Sequence, residues 1–301
     1  MVRSPRTEPH MKEEIVRLTI LGCRAGMPAA GQSSSGYLVT SGPTNILLDA
    51  GPGIAAALSR HLPAHQLSAV FISHLHTDHL YDLLPIGKSI LAARTVYDHS
   101  TGLAHLDEAP RIPLYVPEGA REKLEQLSSV FPVATQPWMD RPFELAFEVV
   151  EYTATQVMKM GGVTATLAEL RHVATCCGIR LEAEGRSLVY SGDTGVTEAL
   201  AELATNAGTL LAESTLDTTD PGPHGHMSSG DAGRTAEAAR VGELVLTHFT
   251  TAEEEKLQWH IARAADAYGG PIELARPDRV FDVRPTTTAH AVPSATSTAK
   301  A

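Results

Sequence analysis

Apolar positions in the first part of the chain recur with a period of two. Val16-Arg17-Leu18-Thr19-Ile20-Leu21 alternates as a half-buried strand does, and Gly22, Gly26 and Pro28 then mark a tight loop. Gly36-Tyr37-Leu38-Val39 and Asn45-Ile46-Leu47-Leu48-Asp49 pair as a hairpin around Ser41-Gly42-Pro43-Thr44. The spacing turns helical over Gly53 to His61, where Ile54, Ala57 and Leu58 share a face, and a short apolar run follows at Ala69-Val70-Phe71-Ile72. Beyond it the pattern predicts a helix over Leu83 to Tyr97, a loop over Asp98 to Arg111 and a strand at Pro113 to Pro117. A helix over Gly119 to Val130 and a strand with a wet face at Phe143 to Val150 come next. Val157 to Gly162 has no clear period, and its Met158 and Met160 read as core filler or as the lining of an apolar pocket.

In the second half, predicted strands end in polar residues. Val163 to Leu170 runs into Arg171-His172, and Gly178 to Leu181 and Ser187 to Tyr190 lead into Ser191-Gly192-Asp193-Thr194. Thr209 to Thr215 is an apolar strand carrying Glu213 at its end, and Glu243 to Phe249 is another that ends at His248. Helices are expected over Val196 to Thr205, over Ala232 to Val241 with Ser228 as a cap, and over Thr251 to Ala267. Two short strands, 272–275 and 279–283, close a body running from residue 15 to 284. Residues 1–14 read as a flexible lead-in, and 285–301, rich in Thr, Ala and Ser, as a disordered tail.

The densest chemistry lies directly after the strand at Ala69 to Ile72, in Ser73-His74-Leu75-His76-Thr77-Asp78-His79-Leu80. Neutral imidazoles and a carboxylate suit zinc and similar divalent ions, and His74 and His76 alternate as two same-side ligands at a strand end would. Asp78 and His79 point elsewhere, so one turn can feed two adjacent ions, as two-metal hydrolysis requires. The competing reading is a polar turn with chance histidines, since the chain has 14 of them. His99 and His105 have no metal-type neighbours and read as surface residues. Taken alone, Asp49 is equally a turn or cap residue, His172 is equivocal, and Asp193 is equally the N-cap of the helix after it. Beside the histidine motif, His172 and Asp193 become ligand candidates.

Composition narrows the function classes. A chain of 301 residues, 43% hydrophobic and 20% charged, can bury a sizeable core as one domain. A formal net charge of −11 argues against a broad phosphate-binding surface and for a small substrate. Three cysteines, two of them adjacent, are too few and badly placed for a disulfide framework, which favours a reducing cytoplasm. No apolar run is long enough to cross a bilayer, so no membrane partner is expected.

The ordered set His74, His76, Asp78, His79, His172, Asp193 and His248 resembles the metallo-β-lactamase superfamily, and the resemblance spans about Leu18 to Val283. It implies an α/β fold, the four-layer αβ/βα sandwich, with two divalent metal ions at one open edge: zinc, with manganese as the alternative. By carry-over, His74, His76 and His172 would hold one ion and Asp78, His79 and His248 the other, with Asp193 bridging them. Asp49 falls where the family places a carboxylate that orients a liganding imidazole.

Within the superfamily the chain looks most like the ribonuclease Z and phosphodiesterase branch. Leu21-Gly22-Cys23 with Gly26-Met27-Pro28, the run His172 to Gly178, Ser191-Gly192-Asp193-Thr194 and Leu246-Thr247-His248-Phe249 carry that likeness. The branch implies that Glu213 and His226 form an acid pair for the leaving oxygen, with His224 the nearest competitor of His226. The transfer-RNA-processing members carry a Gly- and Pro-rich arm between the third histidine motif and the bridging Asp. Here that interval, Gly178 to Ser191, is only a hairpin turning at Glu184-Gly185-Arg186, and the branch's usual Tyr is Ile179. The implied activity is therefore hydrolysis of a small phosphodiester, a cyclic or short nucleotide, with Asp78 essential to the metal centre. Lactone, thioester or amide hydrolysis on the same centre is the alternative, and a metal-bound sensor or scaffold the outside one. Members of this branch often form homodimers, so a dimer is expected.

Overall fold

Alternation along the strands places one set of side chains between two sheets and the other set beneath helices. The computed structural model describes residues 15–287 apart from 134 and 155. In chain order, β1 (Arg17–Gly22), β2 (Gly36–Ser41) and β3 (Thr44–Leu48) form an antiparallel meander, and α1 (Ile54–Ser59) crosses to β4 (Ala69–Phe71). Helices α2 (Thr77–Leu80) and α3 (Leu83–Ala93) lead through a hairpin, β5 (Thr95–Asp98) and β6 (Leu103–Leu106), to β7 (Ile112–Pro117). Helices α4 (Ala120–Ser129) and α5 (Pro142–Leu145) and strand β8 (Phe147–Tyr152) complete this half.

The second half repeats the plan. A meander of β9 (Val157–Met160), β10 (Val163–Leu170), β11 (Cys176–Ala183) and β12 (Arg186–Tyr190) is followed by α6 (Glu198–Leu203), β13 (Thr209–Glu213), α7 (Ser229–Ala239), β14 (Leu244–Thr247), α8 (Glu254–Ala265) and β15 (Ile272–Leu274). Strand β16 (Val280–Asp282) returns to pair with β1. The sheets run β16-β1-β2-β3-β4-β7-β8 and β15-β14-β13-β12-β11-β10-β9. Ile46 and Leu48 of β3 pack between the sheets with Ile179, Tyr190 and Leu211, while Leu47 turns outward onto Ile54, Ile86 and Ile90 of the helices. Helices α6, α7 and α8 cover the far side of the second sheet through Leu200, Ala236 and Leu257. These are the four layers of the αβ/βα sandwich.

Four local expectations change. The helix expected over Leu83 to Tyr97 stops at Ala93, because Thr95, Val96 and Tyr97 are β-branched or aromatic and pair with Leu103 to Leu106. The loop expected over Asp98 to Arg111 therefore contains half of a hairpin, whose turn is held by Asp98 accepting from Ser100 N–H at 2.8 Å. Pro142 opens a helical turn where a strand was expected to start at Phe143, and pairing begins only at Phe147. Val157 to Met160 form edge strand β9, with Met160 buried in the core between the sheets.

The tail expected from residue 285 is tied down at its start. Thr286 N–H donates to Gly185 O and Thr287 N–H to Asn206 O, both at 2.9 Å. The rest of that tail, and the expected lead-in over 1–14, lie outside the described residues.

Candidate metal centre

Parallel pairing around β3, β4 and β7 and around β12, β13 and β14 brings the carboxyl ends of these strands to one edge of the sandwich. Ligands collect outside such ends in open sheets. Asp49 follows β3, His74 follows β4, His172 follows β10, Asp193 follows β12, Glu213 ends β13 and His248 follows β14. Asp78 and His79 lie in α2.

Three groups of ligand-type atoms form there among the described residues: His74, His76, His172 and Asp193; Asp78, His79, Asp193 and His248; and Glu213, His226 and His248, which shares His248 with the second. His76 Nδ1 stands 3.0 Å from His74 Nε2 and 3.3 Å from His172 Nε2. His79 Nε2 is 3.5 Å from Asp78 Oδ2 and 3.3 Å from Asp193 Oδ2, and His248 Nε2 is 3.4 Å from Asp78 Oδ2. Atoms held at 2.0–2.1 Å by a tetrahedral ion stand roughly 3.3 Å apart, which is the spacing found. Asp193 Oδ2 also lies 3.7 Å from His74 Nε2, so one oxygen faces the first two groups.

The hydrogen bonds behind these atoms decide where the imidazole protons sit. His79 Nδ1–H donates to Asp49 Oδ2 at 2.7 Å, and the same carboxylate accepts from Ser73 N–H, Ser73 Oγ–H and Tyr190 Oη–H. His74 Nδ1–H donates to Ser73 Oγ at 3.0 Å, and His172 Nδ1–H to Gly225 O at 2.9 Å. His248 Nδ1–H donates at 2.8 Å to Thr215 Oγ1, whose own proton goes to Glu213 Oε2 at 2.6 Å. Two buried carboxylates thus orient two histidines each, Asp49 for the first half and Glu213 for the second.

A pair of divalent cations fits this arrangement. The Nε2 atoms of His74 and His172, whose Nδ1 protons are already donated, converge on His76 Nδ1, a cluster of three imidazole nitrogens at the spacing a divalent cation takes. His79 Nε2 and Asp193 Oδ1 are buried without a hydrogen-bond partner, which is costly unless something else is coordinated. Burial, reinforced by the neighbouring His79, drives the pKa of His74 well down, and burial with His172 lowers that of His76, so both hold the neutral form that binds metal. Burial would raise the Asp78 carboxyl, but His248 and His79 hold it far below the usual range.

Backbone geometry at the edge is strained. Asp49 and His248 adopt left-handed φ values of 57° and 59°, a conformation that costs a non-glycine residue about 1–3 kcal/mol. Gly51 is required because a Cβ there would lie 1.9 Å from Asp78 O, and Gly225, at φ 72°, because a Cβ would lie 2.5 Å from Arg171 O. The loop after β1 closes the rim, where Gly26 N–H donates to Asp78 Oδ2 at 2.8 Å.

His226 stands next to the second group. Its Nδ1 is 3.0 Å from Glu213 Oε1, which also accepts from Thr194 N–H at 2.7 Å. Burial alone would lower the imidazole pKa, but the bond to Glu213 and the charges of Glu213 and Asp193 outweigh it and raise it to about 9. His224 lines the adjoining cavity of about 510 Å³, as do His76, His172 and His226. Neither His99 nor His105 belongs to a group of ligand-type residues among the described residues. The helix after Asp193 takes Thr197 as its N-cap, so Asp193 is not that cap.

A two-sheet sandwich with two adjoining His/Asp groups at one edge defines a metal-dependent hydrolase. The chain belongs to the metallo-β-lactamase superfamily: residues 29–90 match the metallo-beta-lactamase superfamily and 87–249 the beta-lactamase superfamily domain. Ribonuclease Z of Mycobacterium bovis is 31% identical over 299 residues, covering 90% of this chain and 99% of that protein. The probable metallo-hydrolase YhfI of Bacillus subtilis is 28% identical over 237 residues, covering 78% of this chain and 87% of that one. The crystal structure of YhfI from Bacillus subtilis superposes with a TM-score of 0.74 at 25% identity, over 89% of this chain and 99% of that one. The interval between His172 and Asp193 is a tight hairpin: Ala183 pairs with Arg186 across Glu184 and Gly185, at φ 52° and 68°.

Proposed function

We propose that the protein hydrolyses a small phosphodiester, a cyclic or short nucleotide. One divalent ion, zinc or manganese, would be held by His74, His76, His172 and Asp193, and a second by Asp78, His79, His248 and Asp193. Bound there, the ions supply Lewis acidity and lower the pKa of water, so that a nucleophile is available near neutral pH.

The observation that carries the phosphodiester reading is the Glu213–His226 pair. Esters of weakly acidic alcohols need a proton delivered to the departing oxygen, and His226, anchored through Nδ1, keeps Nε2–H for that transfer. Glu213 holds the ring in this tautomer and stabilises its protonated form, as the raised pKa reflects. A resemblance to a relative named ribonuclease Z supports the same bond type. The hairpin at Glu184-Gly185 and the net charge of −11 favour a small substrate over a transfer RNA.

The deciding measurement is turnover of bis(p-nitrophenyl) phosphate by protein loaded with zinc or manganese, beside a chelated control and Asp78→Ala. Metal-dependent turnover, lost in Asp78→Ala together with one ion, is expected. No turnover with both ions bound would redirect the assignment to lactones, thioesters or amides.

A further inference from the structure

His226 rides on an irregular loop, so its position depends on what holds that loop. Residues 214–228 join β13 to α7 and are pinched at the base, where Leu216 N–H donates to Met227 O at 3.0 Å. A proton donor must come within hydrogen-bond reach of the departing oxygen, and a displacement of about 1 Å can cost roughly 10²-fold in rate. The loop therefore needs further anchors.

Arg171, next in sequence to His172, supplies them. Its Nη1 donates to Gly222 O at 2.7 Å and its Nη2 to Asp220 O at 3.2 Å, while Nε donates to Val196 O at 3.2 Å. A planar guanidinium can hold three carbonyls in this way, and its charge strengthens each bond. The carboxylate of Asp220 is bonded to the loop itself, accepting from Gly222 N–H at 2.8 Å and Gly225 N–H at 3.0 Å. Two glycines make room for the clamp. A Cβ on Gly195 would lie 1.7 Å from Arg171 Nη2, and one on Gly225 would lie 2.6 Å from the Cα of His172.

The clamp reaches both members of the acid pair. On one side it fixes Asp220 and Gly222, a few residues before His226. On the other, Arg171 O accepts from Gly195 N–H at 2.8 Å, beside Thr194, whose N–H donates to the Glu213 oxygen that also meets His226 Nδ1. One residue thus ties together the segments carrying His172, Asp193 and His226.

We propose that Arg171 is a positioning residue for proton delivery: by holding the carbonyls of Asp220 and Gly222 it keeps His226 within reach of the departing oxygen. The inference rests on the phosphodiesterase reading, in which His226 is the proton donor.

The test exploits leaving groups that do and do not need a proton. With metal-loaded protein, Arg171→Met is expected to lower kcat roughly 10²-fold, at little changed KM, on diesters that expel an alkoxide, adenylyl-(3′→5′)-adenosine and 3′,5′-cyclic AMP. Turnover of bis(p-nitrophenyl) phosphate, whose phenolate departs unprotonated, should fall less than about threefold, with both ions retained. Arg171→Lys, which keeps the charge and a single donor group, should show a smaller loss on the same alkoxide substrates only, and it carries the comparison if Arg171→Met does not fold. In a His226→Ala background the Arg171 substitution should have no further effect, because the two act as a unit. Equal losses on both kinds of substrate, loss of an ion, or a further loss in the His226→Ala background would overturn the inference. Turnover of bis(p-nitrophenyl) phosphate alone by the wild type would also overturn it, since no proton step would be left to position, while the phosphodiesterase reading stood. Failure to cleave any of these diesters would overturn both.

Discussion

Asp49 and His79, both fully buried, meet through a 2.7 Å hydrogen bond from imidazole Nδ1–H to carboxylate Oδ2. The bond fixes the ring of His79 so that Nε2 faces Asp78 and Asp193. Through Ser73 the same carboxylate sets the orientation of His74. Replacing it should therefore weaken both ion sites. Asp49→Ala is expected to lose about 10–100-fold in metal affinity, read by competition with a chromophoric chelator. Unchanged affinity in a folded variant would rule out this supporting role.

Protonated His226 gives the activity a pH signature. Its pKa is raised to about 9 by Glu213 and Asp193 against the opposing effect of burial. The rate is retained below that pKa and falls as pH rises through it, because the proton to be donated is then absent. Two cations bound beside it would repel the imidazolium and move this limb below 9. An alkaline limb in kcat is expected for the wild type on an alkyl diester, together with its absence and a roughly 10²–10⁴-fold lower plateau in His226→Ala. An identical limb in both proteins would assign the titration to another group.

Acid stability should depend on His260. It is 1% exposed, bonded through Nδ1 to Ser229 and packed 5.3 Å from the Phe249 ring. Burial, with the charge of Lys256, lowers its pKa to about 4. Below the unfolded value of about 6.5 the unfolded chain binds a proton that the folded chain does not, so stability falls as pH drops from about 6.5 to about 4. Across that range His260→Gln should lose roughly 2–3 kcal/mol less than the wild type in urea unfolding. Parallel curves would show that the imidazole is not desolvated enough to matter.

Much of this architecture was legible because its signals are local. Short apolar runs ending in His or Asp announce strands that deliver ligands to one edge, and His74 to His79 concentrate four donors in one turn. The hydroxyls that connect the donors were not legible. Ser73 sits beside His74, and Thr215 follows Glu213 by two residues, yet serine and threonine are too common near strand ends to single out. Tyr190 reads as an ordinary strand residue until its hydroxyl is seen 2.6 Å from Asp49. The left-handed conformations of Asp49 and His248 leave no composition signal, since each is over-determined by contacts made across the fold. The misread segments, Leu83 to Tyr97 and Phe143 to Val150, each join two elements without a glycine to separate them.

The two ligand groups that share Asp193 each draw on both sheets. His74 and His76 come from the first and His172 from the second; Asp78 and His79 come from the first and His248 from the second, with Asp193 shared. Neither half could assemble a complete site by itself. Two cations held in this place would clasp the seam of the molecule, and whatever pried the sheets apart at that edge would dismantle both ligand groups at once.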